Sequence, residues 1–113
     1  MKSKITALSK NEDFKKLLRG KRISNKYLTI YFANLLKKEN KKLNISFVTK
    51  KKLGNAVKRN KIKRRLKNIM NEATKTISLN FNYSYLVIAK VTMLDNEYAK
   101  MKESLFADFK RIK

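Results

Sequence analysis

The sequence predicts an α+β fold, a single α/β sandwich domain with a sheet of about four strands and the element order α-β-β-β-α-β-α. Two kinds of hydrophobic spacing predict it: some segments carry an apolar residue at every second position and others at every third or fourth. The chain has 113 residues, which is enough for one hydrophobic core. Because no repeat or linker-like stretch divides it, we expect one domain over residues 1–113.

A short helix and two strands are predicted first. Residues 9–12 have the spacing of a capping box beginning at Ser9, and Gly20 can end a helix over about residues 11–19. The apolar stripe of this helix comprises Phe14, Leu17 and Leu18. Alternation then predicts a strand over residues 26–35, preceded by a shorter strand near residues 21–25.

A third strand and a long helix follow a polar loop at residues 37–42. Leu43, Ile45 and Phe47 resume the alternation of a strand. Asn55 then has the chemistry of an N-cap. The apolar residues after it recur at helical spacing over four turns, and they are Ile62, Leu66, Ile69, Met70, Ala73 and Ile77.

The last two elements are a strand and a helix. Residues 85–89 form a continuous apolar run, which is typical of a strand covered on both faces, so we expect it at the centre of the sheet. Asp95 or Asn96 can cap the final helix. Its apolar face carries Tyr98, Met101, Leu105, Phe106 and Phe109.

The charge of the chain is strongly positive. Thirty lysines and arginines stand against eight acids, giving a net charge of +22, and a polyanionic partner would relieve the resulting self-repulsion. Hydrophobic residues make up 42% of the chain, enough to bury a core, so it is not a disordered basic tail. The chain has no histidine, and its acids are scattered, which disfavours a nuclease or hydrolase site of its own.

The sequence also indicates where the protein works. Cysteine is absent, which agrees with a reducing compartment without requiring one. No apolar run approaches the roughly 20 residues of a membrane span. Residues 1–4, Met-Lys-Ser-Lys, are not followed by an apolar signal region. We therefore expect a cytoplasmic protein.

Residues 50–67 form the most basic segment, with ten basic residues and no acid. On a helical projection the apolar stripe centres near Ile62 and Ala73, whereas Asn60, Arg64 and Lys67 lie on the opposite side. A lysine-rich helix face is often only solvated. Here the lack of interspersed acids favours a face that binds phosphates.

Within this segment, residues 51–64, KKLGNAVKRNKIKR, resemble the arginine-asparagine-arginine signature of bacterial ribonuclease P proteins. The similarity extends over nearly the whole chain, from Asp13 and Phe14 to the apolar run at residues 85–89. It implies a fold in the same element order, with a left-handed crossover at the basic helix. That handedness is opposite to the usual rule for parallel strands.

The resemblance implies a function in tRNA processing. The chain would be the non-catalytic protein subunit of ribonuclease P, a ribonucleoprotein endoribonuclease that cuts the 5′ leader from precursor tRNA. Its partners would be the catalytic RNA subunit, with one protein per RNA, and precursor tRNA. The cofactor would be Mg²⁺, bound mainly by the RNA. No residue of this chain would be catalytic or bind a metal.

The resemblance also implies two groups of binding residues. Contacts to the catalytic RNA would come from Lys51, Lys52, Arg59, Asn60, Lys61, Lys63, Arg64 and Lys67. The leader would lie in a cleft lined by Phe14 and Tyr31, and its contacts would come from Phe14, Leu18, Asn25, Lys26 and Tyr31. Aromatic faces stack unpaired bases with little sequence preference, which suits leaders of different sequence. From the residues alone, Phe14 and Tyr31 are better interpreted as core aromatics, because an aromatic residue on a short helix or a strand is usually buried.

Five positions depart from the family pattern. Lysine replaces arginine at Lys61 and Lys67, which keeps the charge but loses bidentate phosphate geometry. Leu18 stands where an aromatic residue is common. Ser46 and Lys50 stand where glycine and serine are expected. These departures predict a weaker affinity for the leader.

Two other functions fit the composition. A ribosomal or other structural RNA-binding protein would share the charge and size but would not require the signature at residues 51–64. A peripheral membrane protein would need a basic helix with an exposed apolar face, often with tryptophan. The chain has no tryptophan, and its apolar stripes are needed for the core.

Overall fold

The computed structural model describes residues 5–6, 11–34, 43–77, 79, 83–94 and 98–112. The predicted element order is confirmed, and a two-residue strand precedes it. The helices are α1 (Asn11–Leu18), α2 (Ala56–Thr76) and α3 (Tyr98–Arg111). The strands are β1 (Ile5–Thr6), β2 (Lys21–Ser24), β3 (Leu28–Ala33), β4 (Leu43–Val48) and β5 (Ser84–Ala89). Short 3₁₀ helices cover Lys51–Leu53 and Val91–Leu94.

The strands form one mixed sheet in the order β1-β4-β5-β3-β2. The predicted strands are β2 to β5, and β1 adds two residues in parallel to β4. β3 is antiparallel to β2 and β5, whereas β4 and β5 are parallel neighbours joined through α2. β5 lies in the middle of the sheet, as its continuous apolar run predicts.

One face of the sheet is covered by α2 and α3 and holds the main core. Ile30 of β3 and Tyr85 of β5 pack there against Leu66 of α2 and Phe109 of α3. Of the stripe predicted for α2, all but Ile77 is buried, and Ile77 packs at the margin of the core.

Among the described helices, only α1 packs on the other face. Leu17 of α1 packs on Leu86 of β5, and around this pair lie partly buried Phe14, Tyr31, Val48 and Ile88. Leu18 does not share the burial of Leu17, since its side chain is 51% exposed. A single eight-residue helix leaves part of a five-stranded sheet open, which creates room for binding on this face.

Helix ends and turns follow their local chemistry. Asn55 caps α2, with its side-chain oxygen accepting a hydrogen bond from the Lys58 backbone N–H at 3.0 Å. α1 ends at Leu18, one residue before the predicted end. Gly20 follows at a close approach, because a Cβ there would lie 2.9 Å from the Phe32 carbonyl oxygen. Ser9, the loop at residues 37–42, and the predicted caps Asp95 and Asn96 lie outside the described residues.

In the part of the chain that the structure describes, no helix is both long and apolar enough to cross a bilayer.

Candidate nucleic-acid interface

The exposed face of α2 carries a large part of the basic segment at residues 50–67. Its residues from Ala56 to Asn71 include no acid, and Glu72, the one acid of the helix, forms an ion pair with Lys102 of α3. The predicted side chains Asn60, Lys61, Lys63, Arg64 and Lys67 are all exposed on it. Within the described residues, no carboxylate forms an ion pair with these cations, so their positive field extends into solvent and attracts phosphates.

Arg59 differs from its neighbours because it is only partly exposed. Its Nε–H is buried and has no hydrogen-bond partner within the described part of the chain. A buried donor without a partner costs free energy, and most such groups in proteins are satisfied. Arg59 is thus held against the protein surface at the edge of the basic face, with one donor unused.

The chain enters α2 through a turn that presents two more lysines. Leu53 is fully buried and anchors the 3₁₀ helix Lys51–Leu53, whereas Lys51 and Lys52 are exposed. Gly54 then adopts a positive φ of 121°, which side chains rarely tolerate. The positive end of the α2 dipole adds to the charge of these lysines.

A first groove of about 510 Å³ lies between α1, β4 and α2. Phe14 lines it from α1 and Ser46 from β4, and the α2 wall is formed by Asn60, Lys63, Arg64 and Lys67. The fold therefore brings one predicted leader-binding aromatic together with four predicted RNA-binding residues. An aromatic ring beside several cations can accommodate an unpaired base and its phosphates.

A second groove of about 470 Å³ lies where β4 and β5 end. Tyr31 and Thr29 of β3 line it together with Lys50, Lys52 and Lys90. The Lys90 ammonium is fixed in place, because it donates hydrogen bonds to Ser24 Oγ at 2.7 Å and to the Asn25 carbonyl oxygen at 2.6 Å. This groove also combines an aromatic ring with cations.

Phe14 lines the first groove and Tyr31 the second, and both rings pack against the same Leu17–Leu86 pair. Both are partly buried, so each contributes to packing and also presents surface to a groove. The core interpretation and the binding interpretation of these aromatics are therefore compatible.

The other three predicted leader-binding residues lie outside both grooves. Asn25 is bound within the fold: its amide donates to Asp108 Oδ2 at 2.5 Å, and its Oδ1 accepts from the backbone N–H groups of Tyr27 and Leu28 at 2.7 and 3.0 Å. Lys26 is exposed, with Nζ 5.8 Å from the centre of the Tyr27 ring. Leu18 is the last residue of α1, and its side chain is exposed to solvent.

Sequence reasoning did not assign Lys50 and Lys90 to the site. Lys90 directly follows the apolar run of β5, and a charged residue at the end of a buried central strand is a signal that could have identified it. Lys50 belongs to the basic segment but precedes the signature residues. Both side chains reach the site only because β4 and β5 are parallel and end at the same edge of the sheet.

The tyrosine and lysine groups with a raised pKa lie away from both grooves. Burial, with a smaller effect of Tyr83, raises the pKa of the Tyr85 hydroxyl. Burial and the neighbouring Glu72 raise the pKa of Tyr98. The hydrogen bond to Glu72 raises the pKa of Lys102. Tyr85 is in the core, and Tyr98 and Lys102 lie at the contact between α2 and α3, so none of these shifts prepares a group for chemistry in a groove.

Comparison with known proteins identifies relatives over the full length of the chain. The family described as Ribonuclease P matches residues 2–113. A ribonuclease P protein component from Carboxydothermus hydrogenoformans is 34% identical, over 98% of this chain and 94% of its own. A solved structure of the Staphylococcus aureus RNase P protein has 27% identity and a TM-score of 0.77, covering 94% of this chain and 93% of that one. The Thermotoga maritima RNase P protein, 23% identical, matches the fold with a TM-score of 0.80, covering 96% of this chain and 98% of that one.

Proposed function

Because the chain belongs to the ribonuclease P protein family, we propose that it binds the catalytic RNA through α2 and the 5′ leader of precursor tRNA through the two grooves. At the level of the family, the chain is the protein component of ribonuclease P, a ribonucleoprotein endoribonuclease involved in tRNA 5′ maturation. Membership also implies association with the RNA of that enzyme.

The observation that carries the proposal is the exposed, acid-free face of α2. Asn60, Arg64 and Lys67 project from it beside Lys51 and Lys52 at the start of the helix. Cations placed on phosphates release condensed counterions, and this supplies much of the affinity of a protein for RNA. Arg64 can bind a phosphate in bidentate fashion, whereas Lys61, Lys63 and Lys67 act as point charges. Arg59 would bring its Nε–H, which has no partner among the described residues, to the same phosphate contacts.

The leader is assigned to the two grooves because each combines an aromatic ring with cations. Phe14 and Tyr31 would stack unpaired bases, while Lys63 in one groove and Lys90 in the other would follow the backbone. Stacking tolerates any base, so one site can serve leaders of different sequence. Lys26 and Leu18 would contact the leader outside the grooves.

Asn25 would position the Lys90 side chain without contacting the leader directly. Its side chain is occupied by Asp108 and by the backbone of the turn, and its carbonyl oxygen holds the Lys90 ammonium. The turn therefore fixes a cation of the second groove. Asn25 would act on the leader through Lys90.

The magnesium ions of the reaction are assigned to the RNA subunit. Among the described residues, no three histidine, cysteine or acidic side chains lie close enough together to hold a metal ion. Mg²⁺ in such enzymes activates water and stabilises the leaving oxygen. The residues of this chain would neutralise and orient two polyanions, with one protein bound per RNA, and perform no bond-making step.

A binding experiment tests the division between the two surfaces. The affinities of precursor tRNA and mature tRNA are measured for the ribonuclease P RNA alone and for its complex with this protein. We expect the protein to strengthen binding of the precursor more than binding of the mature tRNA. Equal strengthening of both would contradict leader binding, and failure to bind the RNA would favour the ribosomal alternative.

A further inference from the structure

The edge of the sheet beyond Tyr31 carries two exposed arginines that the proposed function does not use. Arg22 lies on β2, the outermost strand on that side, and Arg19 lies between α1 and β2. Both side chains are exposed. Within the residues that the structure describes, neither arginine forms an ion pair with a carboxylate. Their charges are therefore available to an external anion.

Strand register places Arg22 beside Tyr31. The two residues are cross-strand partners in the antiparallel pair of β2 and β3. Side chains of such partners point to the same face of a sheet, about 5 Å apart at Cβ. The neighbouring pair confirms the orientation, because the hydroxyls of Ser24 and Thr29 lie 3.2 Å apart. Arg22 thus extends the aromatic surface of the second groove towards the edge of the sheet.

Arg19 lies on the same side of the sheet. α1 packs on the face that carries Tyr31, and Arg19 is the first residue after that helix. Gly20 brings the chain directly against Phe32 and Ala33 of β3 before β2 begins. The two arginines therefore flank the point where α1 meets the sheet edge.

We propose that Arg19 and Arg22 bind the phosphate backbone of the leader upstream of the nucleotide that stacks on Tyr31. The inference rests on the proposed function, because the leader must first occupy the second groove. The molecule that binds these arginines is the single-stranded leader RNA, whose negative charge complements theirs. Arginine contacts to phosphate carry no sequence information, so this part of the site does not distinguish between bases. The leader thus has a longer binding path than the two grooves alone provide.

Lys21 supplies an internal control. It is paired with Phe32, whose side chain belongs to the core under α2 and α3, so Lys21 points to the opposite face of the sheet. Charged residues on an edge strand also prevent pairing with other chains. That protective role would use Lys21 and Arg22 alike, whereas a leader contact would use only Arg22.

The test measures the affinity of the complex of this protein with ribonuclease P RNA for precursor tRNAs whose leaders are extended one nucleotide at a time. The variants are Arg22→Gln, Lys21→Gln and Arg22→Lys.

For the unchanged protein, affinity should rise with leader length and then reach a plateau. Arg22→Gln should reach the plateau at a shorter leader, with about threefold to tenfold weaker binding of long leaders and a salt slope smaller by about 0.7. Lys21→Gln should match the unchanged protein, and Arg22→Lys should restore most of the affinity.

Other outcomes overturn the inference in distinguishable ways. If Arg22→Gln and Lys21→Gln behave alike, or if Arg22→Gln weakens short and long leaders equally, the arginine does not contact the upstream leader. If both variants self-associate in sedimentation without a change in leader affinity, the edge charges serve only to prevent strand pairing. If the unchanged protein shows no dependence on leader length, the proposed function itself fails.

Discussion

Asn25 donates its side-chain amide to the carboxylate of Asp108 at 2.5 Å, joining the β2–β3 turn to α3 across 83 positions of sequence. The same asparagine accepts two backbone hydrogen bonds and so closes the turn. Lys90 completes the arrangement through Ser24 and the Asn25 carbonyl. The C-terminal helix therefore supports a turn that fixes one cation of the second groove.

Removing the acceptor of this hydrogen bond should destabilise the fold. Asp108 is only 6% exposed, so Asp108→Ala leaves the Asn25 amide without its partner in a partly buried position. We expect a loss of about 1–3 kcal/mol in the free energy of unfolding, measured by urea denaturation. Glu103→Ala, which removes an exposed acid from the same helix, is the matched control and should change stability little. Equal effects of the two substitutions would show that the hydrogen bond contributes nothing.

A methyl group at Gly20 should also destabilise the protein. Its nearest atoms would be the Phe32 carbonyl oxygen at 2.9 Å and the Ala33 Cβ at 3.2 Å, both fixed in the sheet. Gly20→Ala must therefore move α1 or β2, and we expect a cost of about 1–3 kcal/mol in thermal or urea unfolding. Unchanged unfolding would mean that the connection adjusts freely.

Arg64→Ala should weaken binding to the catalytic RNA and reduce the salt dependence of that binding. The loss of one phosphate contact lowers the logarithmic salt slope by about 0.7 to 0.9. The measurement is the dissociation constant of the protein–RNA complex over a series of salt concentrations. Lys75→Ala removes one exposed charge from the far end of the same helix and should leave the slope nearly unchanged. An unchanged slope in Arg64→Ala would reject the contact.

Tyr31 should contribute to leader affinity through its ring and not through its hydroxyl. Tyr31→Phe keeps the ring and should bind precursor tRNA normally in the complex with ribonuclease P RNA. Tyr31→Val keeps a residue suited to a strand but loses the stacking surface, at a cost of about 1–3 kcal/mol for one base. Mature tRNA, which lacks the leader, should bind all three proteins equally. Loss of affinity for mature tRNA as well would point to a general packing defect.

Much of the fold could be predicted because its signals are local. The stripe from Ile62 to Ala73 has helical spacing, and the apolar run of β5 is typical of a central strand. β1 was not predicted, because two residues are too few to show alternation. In the sequence, the alternating pattern extends past both ends of β3. The predicted strand, residues 26–35, is therefore four residues longer than the observed one.

The candidate site was predictable where it lies on one element and not where it depends on several. The spacing of Asn60, Arg64 and Lys67 places them together on α2. In contrast, the strand order β1-β4-β5-β3-β2 decides that Lys90 joins Tyr31 and that Phe14 lies in a separate groove. The Asn25–Asp108 hydrogen bond likewise joins residues whose separation in sequence leaves no periodic signal.

Cleavage of precursor tRNA at low magnesium is the most direct test of the proposal that this chain supports tRNA 5′ maturation by binding two RNAs. A bacterial ribonuclease P RNA is assayed with and without the protein, on substrates with and without a full leader. We predict strong stimulation of cleavage that depends on leader length. Tight general RNA binding without any stimulation of cleavage would contradict it.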